Sequence, residues 1–331
     1  MKKNSRIIKE YEIRPKKIFD TYLALAKKDA YFFFQKVKKK NQNCPVCNKK
    51  TKHYISKFNF KYSKCNYCET IYNNPRAEKK IFDDFYKYSK SVKFWSTDFY
   101  SKTSKARKKK LWIPKISIIK NFIKHKKIDN VIDIGAGYGD FLDVIKKKRI
   151  CENTIAVEPS SALSDICKKK KHKVVNKFLE ELSHFDIPQK KNNLFTCFEL
   201  FEHVHDINLF VNKIYKVMKK KNILILTTLS GTGVDIVNLK DKSKSIFPPH
   251  HVNFLNPYSM NILFKKHKFK VIKIFTPGKL DLNIMQNNIR YIKNNFWRIF
   301  LSKALSKEKD IMQNIISEMN MSSHMWVICQ K

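Results

Sequence analysis

The sequence predicts an α/β protein with a doubly wound, largely parallel sheet, preceded by a smaller N-terminal domain organised by cysteines. Three observations carry this. Three of the chain's six glycines fall within five residues, in Val131-Ile-Asp-Ile-Gly-Ala-Gly-Tyr-Gly-Asp140. Short apolar strand-like runs alternate with helical patterns from there to the C-terminus. Upstream, Cys44-Pro-Val-Cys47 and Cys65-Asn-Tyr-Cys68 stand seventeen residues apart.

The glycine cluster comes first because it fixes the orientation of the sheet. The residues before it are β-branched and suit a buried parallel strand, while Phe141, Leu142 and Ile145 after it have helical spacing. The glycines therefore occupy a strand-to-helix turn, where backbone N–H groups and a helix N-terminus can approach a ligand without an intervening Cβ. The pattern is G-x-G-x-G with Asp133 two positions ahead. It is not the G-x-G-x-x-G of a dinucleotide fingerprint, which disfavours a pyrophosphate ligand. Thr154-Ile-Ala-Val-Glu-Pro-Ser160 reads as a second strand, and Glu158 at its tip is an acid able to accept both hydroxyl protons of a ribose.

These residues resemble the class I S-adenosylmethionine-dependent methyltransferases, whose first motif is D-x-G-x-G-x-G and whose second strand ends in a ribose-binding acid. The similarity continues in order. Leu194-Phe-Thr-Cys-Phe-Glu-Leu-Phe-Glu-His-Val-His-Asp206 resembles the fourth strand and its turn, and a helix over 208–219 leads to the fifth strand at 222–228. His250-His-Val-Asn-Phe-Leu-Asn-Pro-Tyr-Ser259 is similar to the segment before the next helix, Val271 to Phe275 to a sixth strand, and Met325 to Cys329 to a final antiparallel one. The resemblance implies a seven-stranded Rossmann-like sheet with the last strand antiparallel. It also implies a cofactor site drawn from Asp133, Gly135, Ala136, Gly137, Tyr138, Gly139, Glu158, Pro159, Phe178, Leu179, Phe198 and Glu199. Asn193 departs from the acid often found before the fourth strand.

The cysteine pairs have the spacing of a four-cysteine zinc site, and four thiolates suit zinc better than magnesium or calcium. Cys44, Cys47, Cys65 and Cys68 would complete the metal's coordination, so a structural role is expected. The alternatives are two disulfides or a redox pair. No secretory segment favours the first, and no C-x-x-C opens a helix after a parallel strand as the second requires. Cys151, Cys167, Cys197 and Cys329 read as reduced core thiols.

Residues 1–110 are expected to form a helical segment and zinc module, and 111–331 the methyltransferase domain. The aromatic-rich run from Ile81 to Tyr100 either covers a cleft or packs against the module. Methyl transfer from a sulfonium needs alignment, exclusion of water and often a base. His203, just after the fourth strand, is the first candidate, with Glu202 to orient it. His251, His250 and His205 are alternatives, the first two placed by the resemblance.

Lys plus Arg number 69 against 28 Asp plus Glu, a net charge of +41. That balance suggests nucleic acid or an anionic membrane surface. Only seven of the basic residues are arginine, however, and lysine is spread along the whole chain beside abundant asparagine, isoleucine and phenylalanine. An AT-rich genome accounts for this, and a dedicated reader of nucleic acid would concentrate arginine on one face. Met1 to Glu10 is basic without a following apolar region, and no stretch reaches bilayer length. The expected location is cytoplasmic.

The zinc module joined to this methyltransferase branch resembles enzymes of sugar and surface-polysaccharide pathways. The shared segments are the cysteine pairs, Asn74-Pro-Arg-Ala-Glu78, the E-H-V turn, Pro277-Gly-Lys-Leu-Asp281 and Ser322-Ser-His-Met-Trp326. The sugar C-methyltransferases among them continue into a longer C-terminal domain that is not matched here. A small-molecule acceptor such as a sugar, nucleotide-sugar or glycan is implied. An RNA methyltransferase and a non-catalytic scaffold of the same fold are the alternatives.

Overall fold

The computed structural model describes residues 9–123 and 127–331. The basic stretch read at the extreme N-terminus lies, up to Ile8, outside the described residues. The chain forms two compact units that interleave along the sequence. One contains the described residues up to Thr103 together with Leu229–Pro257 and Phe275–Met325; the other contains Ser104–Thr228, Tyr258–Ile274 and Trp326–Lys331. Compactness thus groups the residues differently from the sequence-based division at residue 110.

The second unit is built on a seven-stranded sheet. Its strands are β1 (Ile128–Ile134), β2 (Cys151–Val157), β3 (Lys173–Val175), β4 (Asn193–Phe198), β5 (Ile223–Leu229), β6 (Lys270–Phe275) and β7 (His324–Gln330). They lie in the order 6-7-5-4-1-2-3, and one strand is antiparallel. β1 pairs in parallel with both β2 and β4, so the chain reverses its direction of progress across the sheet at the β1/β4 boundary. Open α/β sheets bind ligands at such a boundary, beyond the carboxyl ends of the strands. Every residue of β4 and β5 is buried, as expected of central strands covered on both faces. The edge strand β6 is half-exposed.

Helices α1 (Ile113–Ile123), α2 (Asp140–Lys147), α3 (Ser161–Lys169), α4 (Ile207–Val217) and α5 (Pro257–Lys266) belong mainly to this unit. Asp206 caps α4 by accepting from the backbone N–H groups of Asn208 and Leu209 at 2.9 and 3.0 Å. Asn193 accepts from the Asn130 amide at 2.8 Å and donates to the Pro188 carbonyl at 2.7 Å. At that departure from the family pattern a neutral amide satisfies buried polar groups. β2 begins at Cys151, three residues before the apolar run that predicted it, because the polar residues Cys151 and Asn153 pair with Ile128 and Asn130.

The first unit contains a long helix over Lys16–Phe34 and a four-stranded sheet of Thr51–Lys57, Phe60–Cys65, Ile71–Asn73 and Asn253–Phe254. The last strand arrives from far along the chain. Asn73 N–H donates to the Val252 carbonyl at 2.8 Å, and the Arg76 guanidinium donates to that carbonyl at 3.1 Å and to Asn253 at 2.8 Å. Phe34, Phe60, Tyr62, Ile71, Phe82, Phe85 and Phe254 share one core. Phe99 stacks on Trp95 at 4.2 Å and packs with Phe19 and Tyr22. Within this unit, part of the aromatic-rich run therefore serves as core. The stretch following Leu280 forms helices Asp281–Asn287, Asn295–Lys303 and Ser306–Glu318, which bury Leu282, Met285, Leu301 and Ile316 together.

Candidate active site and metal centre

The glycine turn closes β1 into α2 with all three glycines in the left-handed region, at φ of 73°, 54° and 66° for Gly135, Gly137 and Gly139. Residues with a Cβ rarely adopt this backbone. Contacts around the three positions differ. A Cβ on Gly135 would lie 2.8 Å from the Leu200 side chain, and one on Gly139 would lie 3.1 Å from Cys167 Sγ and from the His172 ring. At Gly137 nothing lies within 4 Å. Gly137 is thus the point where the loop's backbone is open.

Glu158 stands at the tip of β2. One carboxylate oxygen accepts from the Gly137 N–H at 2.8 Å and the other from the Ser160 N–H at 3.0 Å. Burial raises its pKa, and the two backbone donors oppose that. Asp133 lies within β1, where it accepts from Thr196 Oγ1 at 2.7 Å. Its burial, followed by repulsion from Glu158, pushes it up to about 7. Cys167 donates to the Gly137 carbonyl at 3.3 Å, and Lys170 to the Tyr138 carbonyl at 2.6 Å.

Beneath the turn, Asp140 and Asp143 on α2 are held by Lys108 and Lys170, and His172 bridges Thr154 at 2.8 Å and Asp143 at 3.0 Å. Sequence reasoning had no route to this network. Its lysines are indistinguishable by pattern from the others.

At the end of β4, Glu199 takes a φ of 53°, a strained conformation for a residue with a side chain. It accepts from Thr227 Oγ1 at 2.6 Å, and Lys115 Nζ lies 3.8 Å from the same oxygen. Phe198 packs edge-on against Phe141 of α2 at 4.7 Å. Glu202 is fully enclosed in the following turn, where it accepts from Thr228 at 2.8 Å; burial, then Glu199, pushes it up to about 8. His203 in the same turn and His205 are half-buried.

Leu179 is buried and Phe178 is half-exposed beside it. His250 and His251 belong to the first unit. There His250 stacks on Phe247 and lies 3.3 Å from Ser91 Oγ, while His251 Nδ1 meets the Ser245 carbonyl at 2.6 Å.

Two segments singled out by sequence resemblance meet inside the first unit. Asp281 accepts from Ser322 Oγ at 2.6 Å, from Ser323 N–H at 2.7 Å and from Gln313 at 2.8 Å. Gly278 lies so close to Ser322 that a Cβ there would overlap its hydroxyl. These two motifs are thus a structural staple.

Asp235 is buried beside the staple with no well-formed hydrogen bond to either oxygen. Burial, then Asp281, pushes it up to about 8. An acid raised in the folded state keeps its proton there after the unfolded chain has lost it, so stability falls as pH rises from about 4 through about 8. Asp235→Asn is expected to flatten the fall in melting temperature between pH 6 and 9. An unchanged slope in the variant would show that Asp235 does not govern it.

The four knuckle cysteines converge in the first unit. Cys44 and Cys68 sulfurs are 3.4 Å apart, Cys47 and Cys65 3.5 Å, and Cys47 and Cys68 3.6 Å. All four sulfurs lie within 4.8 Å of one another. Asn48 and Glu69, each one residue past a pair, take φ of 58° and 57° and turn the knuckles back. The Cys44 carbonyl accepts from Asn48 N–H at 2.8 Å and the Cys65 carbonyl from Glu69 N–H at 3.1 Å. The separations are near the ~3.8 Å edge of a tetrahedron with ~2.3 Å metal–sulfur bonds. The donor set fits a closed, soft-ligand metal site. The remaining four cysteines are free thiols, and burial raises each of them.

A sheet of this order, with a glycine turn at the strand-order reversal and an acid at the tip of the neighbouring strand, defines a ligand-binding α/β fold of the methyltransferase type. The family model described as a methyltransferase domain matches residues 91–274, and the chain belongs to that family. No curated protein matches it.

Among solved structures, the chain matches one in the complex between the Haloferax volcanii Trm112 methyltransferase activator and its methyltransferase. That match has 12% identity and a TM-score of 0.50 and covers 71% of this chain and 95% of the other. A SAM-dependent methyltransferase from Archaeoglobus fulgidus matches at 19% identity and a TM-score of 0.44, over 66% of this chain and 93% of the other. One from Thermotoga maritima matches at 14% and 0.47, over 72% and 97%. The Haloferax match bears on the fold alone. No helix among the described residues is long and apolar enough to cross a membrane.

Proposed function

We propose that this protein is an S-adenosylmethionine-dependent methyltransferase whose acceptor is a small molecule of the sugar, nucleotide-sugar or glycan class. The observation that carries the cofactor reading is the Gly137 N–H held by the Glu158 carboxylate across the carboxyl ends of β1 and β2. It joins an open glycine backbone to an acid suited to a ribose diol. Asp133, Gly135, Ala136, Gly137, Tyr138, Gly139, Glu158 and Pro159 would hold the nucleoside side of the cofactor. Phe198 and Glu199 would border its methionine side, and Phe178 and Leu179 its adenine.

When bound, the cofactor supplies a methyl group already activated on sulfur. The protein's part is to orient the acceptor, exclude water and remove a proton. His203 is the proposed base, with Glu202 positioning the turn that carries it; His251 is the alternative. The sugar-pathway reading rests on the sequence resemblance, and the basic surface suits a phosphorylated acceptor. We also propose that the four cysteines hold one structural zinc ion.

Calorimetric titration with S-adenosylhomocysteine, with NAD as control in the same salt, tests the cofactor reading. The expected result is binding of the former alone. Binding of NAD would overturn the reading of the glycine turn, and binding of neither would favour a non-catalytic scaffold. Glu158→Ala removes an acceptor of two backbone hydrogen bonds and the proposed ribose contact. It is expected to weaken S-adenosylhomocysteine about 10- to 100-fold.

A further inference from the structure

Lys115, in the first turn of α1, is 7% exposed. Its ammonium lies 4.9 Å from the ring centroids of Phe198 and of Trp326 and 5.6 Å from that of Trp112. Three aromatic faces around one cation form a box that stabilises positive charge electrostatically. The box has an acidic side. Glu199 Oε1 is 3.8 Å from the ammonium, and Thr227 Oγ1, which donates to the same oxygen, is 3.4 Å away. Glu202 and Asp133 add negative potential from β4's turn and from β1, and Arg107 adds positive potential from the preceding helix. Burial is the leading influence on this ammonium, which is brought down to about 8.

Leu200 presses on Gly135, so the end of β4 is held directly against the glycine turn. The residues that enclose Lys115 are therefore continuous with those that would hold the cofactor's methionine side. Two charges compete for the same acidic and aromatic surroundings: the fixed ammonium and the sulfonium of the incoming cofactor. The product of methyl transfer is a neutral thioether that has lost the methyl group and, with it, that one positive charge.

Resting on the cofactor reading above, we infer that Lys115 sets the site's preference between the sulfonium cofactor and its neutral product. The ammonium engages Glu199 in the resting protein and disfavours a second cation, while leaving the product's affinity nearly untouched. It thereby tunes how strongly the product competes with fresh cofactor.

The test is calorimetric measurement of both affinities, S-adenosylmethionine and S-adenosylhomocysteine, in the wild type, Lys115→Met and Lys115→Arg. Methionine is apolar and suits the aromatic box, so the fold is expected to hold, and Lys115→Gln serves if it does not. The expected result is a shift of about tenfold toward S-adenosylmethionine in the ratio of affinities for the uncharged variant, with the wild-type ratio kept by arginine. Glu199→Gln should move the ratio the opposite way.

A pH series adds a second readout. As pH rises from 7 to 9 the wild-type ratio should move toward S-adenosylmethionine. Glu202 and Asp133 ionise in the same direction, so the contribution of Lys115 is the part missing from Lys115→Met. A wild type that binds neither compound would overturn the cofactor reading and this inference with it. Binding of both, with a ratio unmoved by Lys115→Met or with both affinities falling together, would overturn this inference alone.

Discussion

Gly137→Val is expected to abolish most cofactor affinity while leaving the fold nearly intact, and Gly135→Val to damage both. The two glycines share a left-handed backbone, which costs a residue with a Cβ about 1–2 kcal/mol. They differ in their surroundings. At Gly135 the added carbon would press on Leu200, and crowding of this kind typically costs about 1–3 kcal/mol more. At Gly137 there is open space, so the side chain would project where the loop's backbone meets a ligand. Thermal unfolding and calorimetry separate the cases. Gly137→Val should lower the melting temperature by only a few degrees but weaken S-adenosylhomocysteine by about 100-fold, whereas Gly135→Val should show a larger thermal loss as well. Unchanged affinity in Gly137→Val would sink the assignment of the cleft.

That contrast also shows what the sequence made legible. Three clustered glycines after a β-branched run announced the turn and the sheet's orientation. The central strands could be placed within a residue or so, because a strand covered on both faces is a continuous apolar run: a strand opening the segment from Leu194 was expected and Asn193–Phe198 found, 222–228 expected and Ile223–Leu229 found. The cysteines converge as their spacing implied.

The missing parts are those for which local pattern carries no information. Asn253–Phe254 is a two-residue strand, too short to show any period, yet it brings a late segment into the first unit's sheet. Lys115 is one lysine among dozens. Its box is assembled from Trp112, one helical turn before it, and from Phe198 and Trp326, which are remote in sequence and are brought there by the sheet. The Asp281 staple was visible as two motifs, but that one is the partner of the other follows from packing alone. Glu202 accepts from Thr228, a partner that its place beside His203 in sequence did not announce.

Removal of the proposed zinc ion should have the second large effect, and the interleaved chain determines where it is felt. Cys65 ends the strand Phe60–Cys65, which pairs on one side with Thr51–Lys57 and on the other with Ile71–Asn73. Ile71–Asn73 in turn pairs with Asn253–Phe254, and the Cys68 carbonyl accepts from the Asn256 amide at 2.9 Å. Four thiolates without their metal would repel one another or take up protons in a buried cluster, and structural zinc contributes about 10–16 kcal/mol of apparent binding energy in small zinc modules. Chelation under reducing conditions is therefore expected to raise hydrogen exchange across residues 44–73 and, through the shared sheet, at 252–256. Cys65→Ser should reproduce that pattern without chelator. Exchange confined to the knuckles would mean that the late strand is held by the aromatic core around Phe254 and not by the metal. Metal analysis decides the premise: one zinc per chain is expected in protein purified with its thiols reduced, and its absence would defeat the four-cysteine assignment.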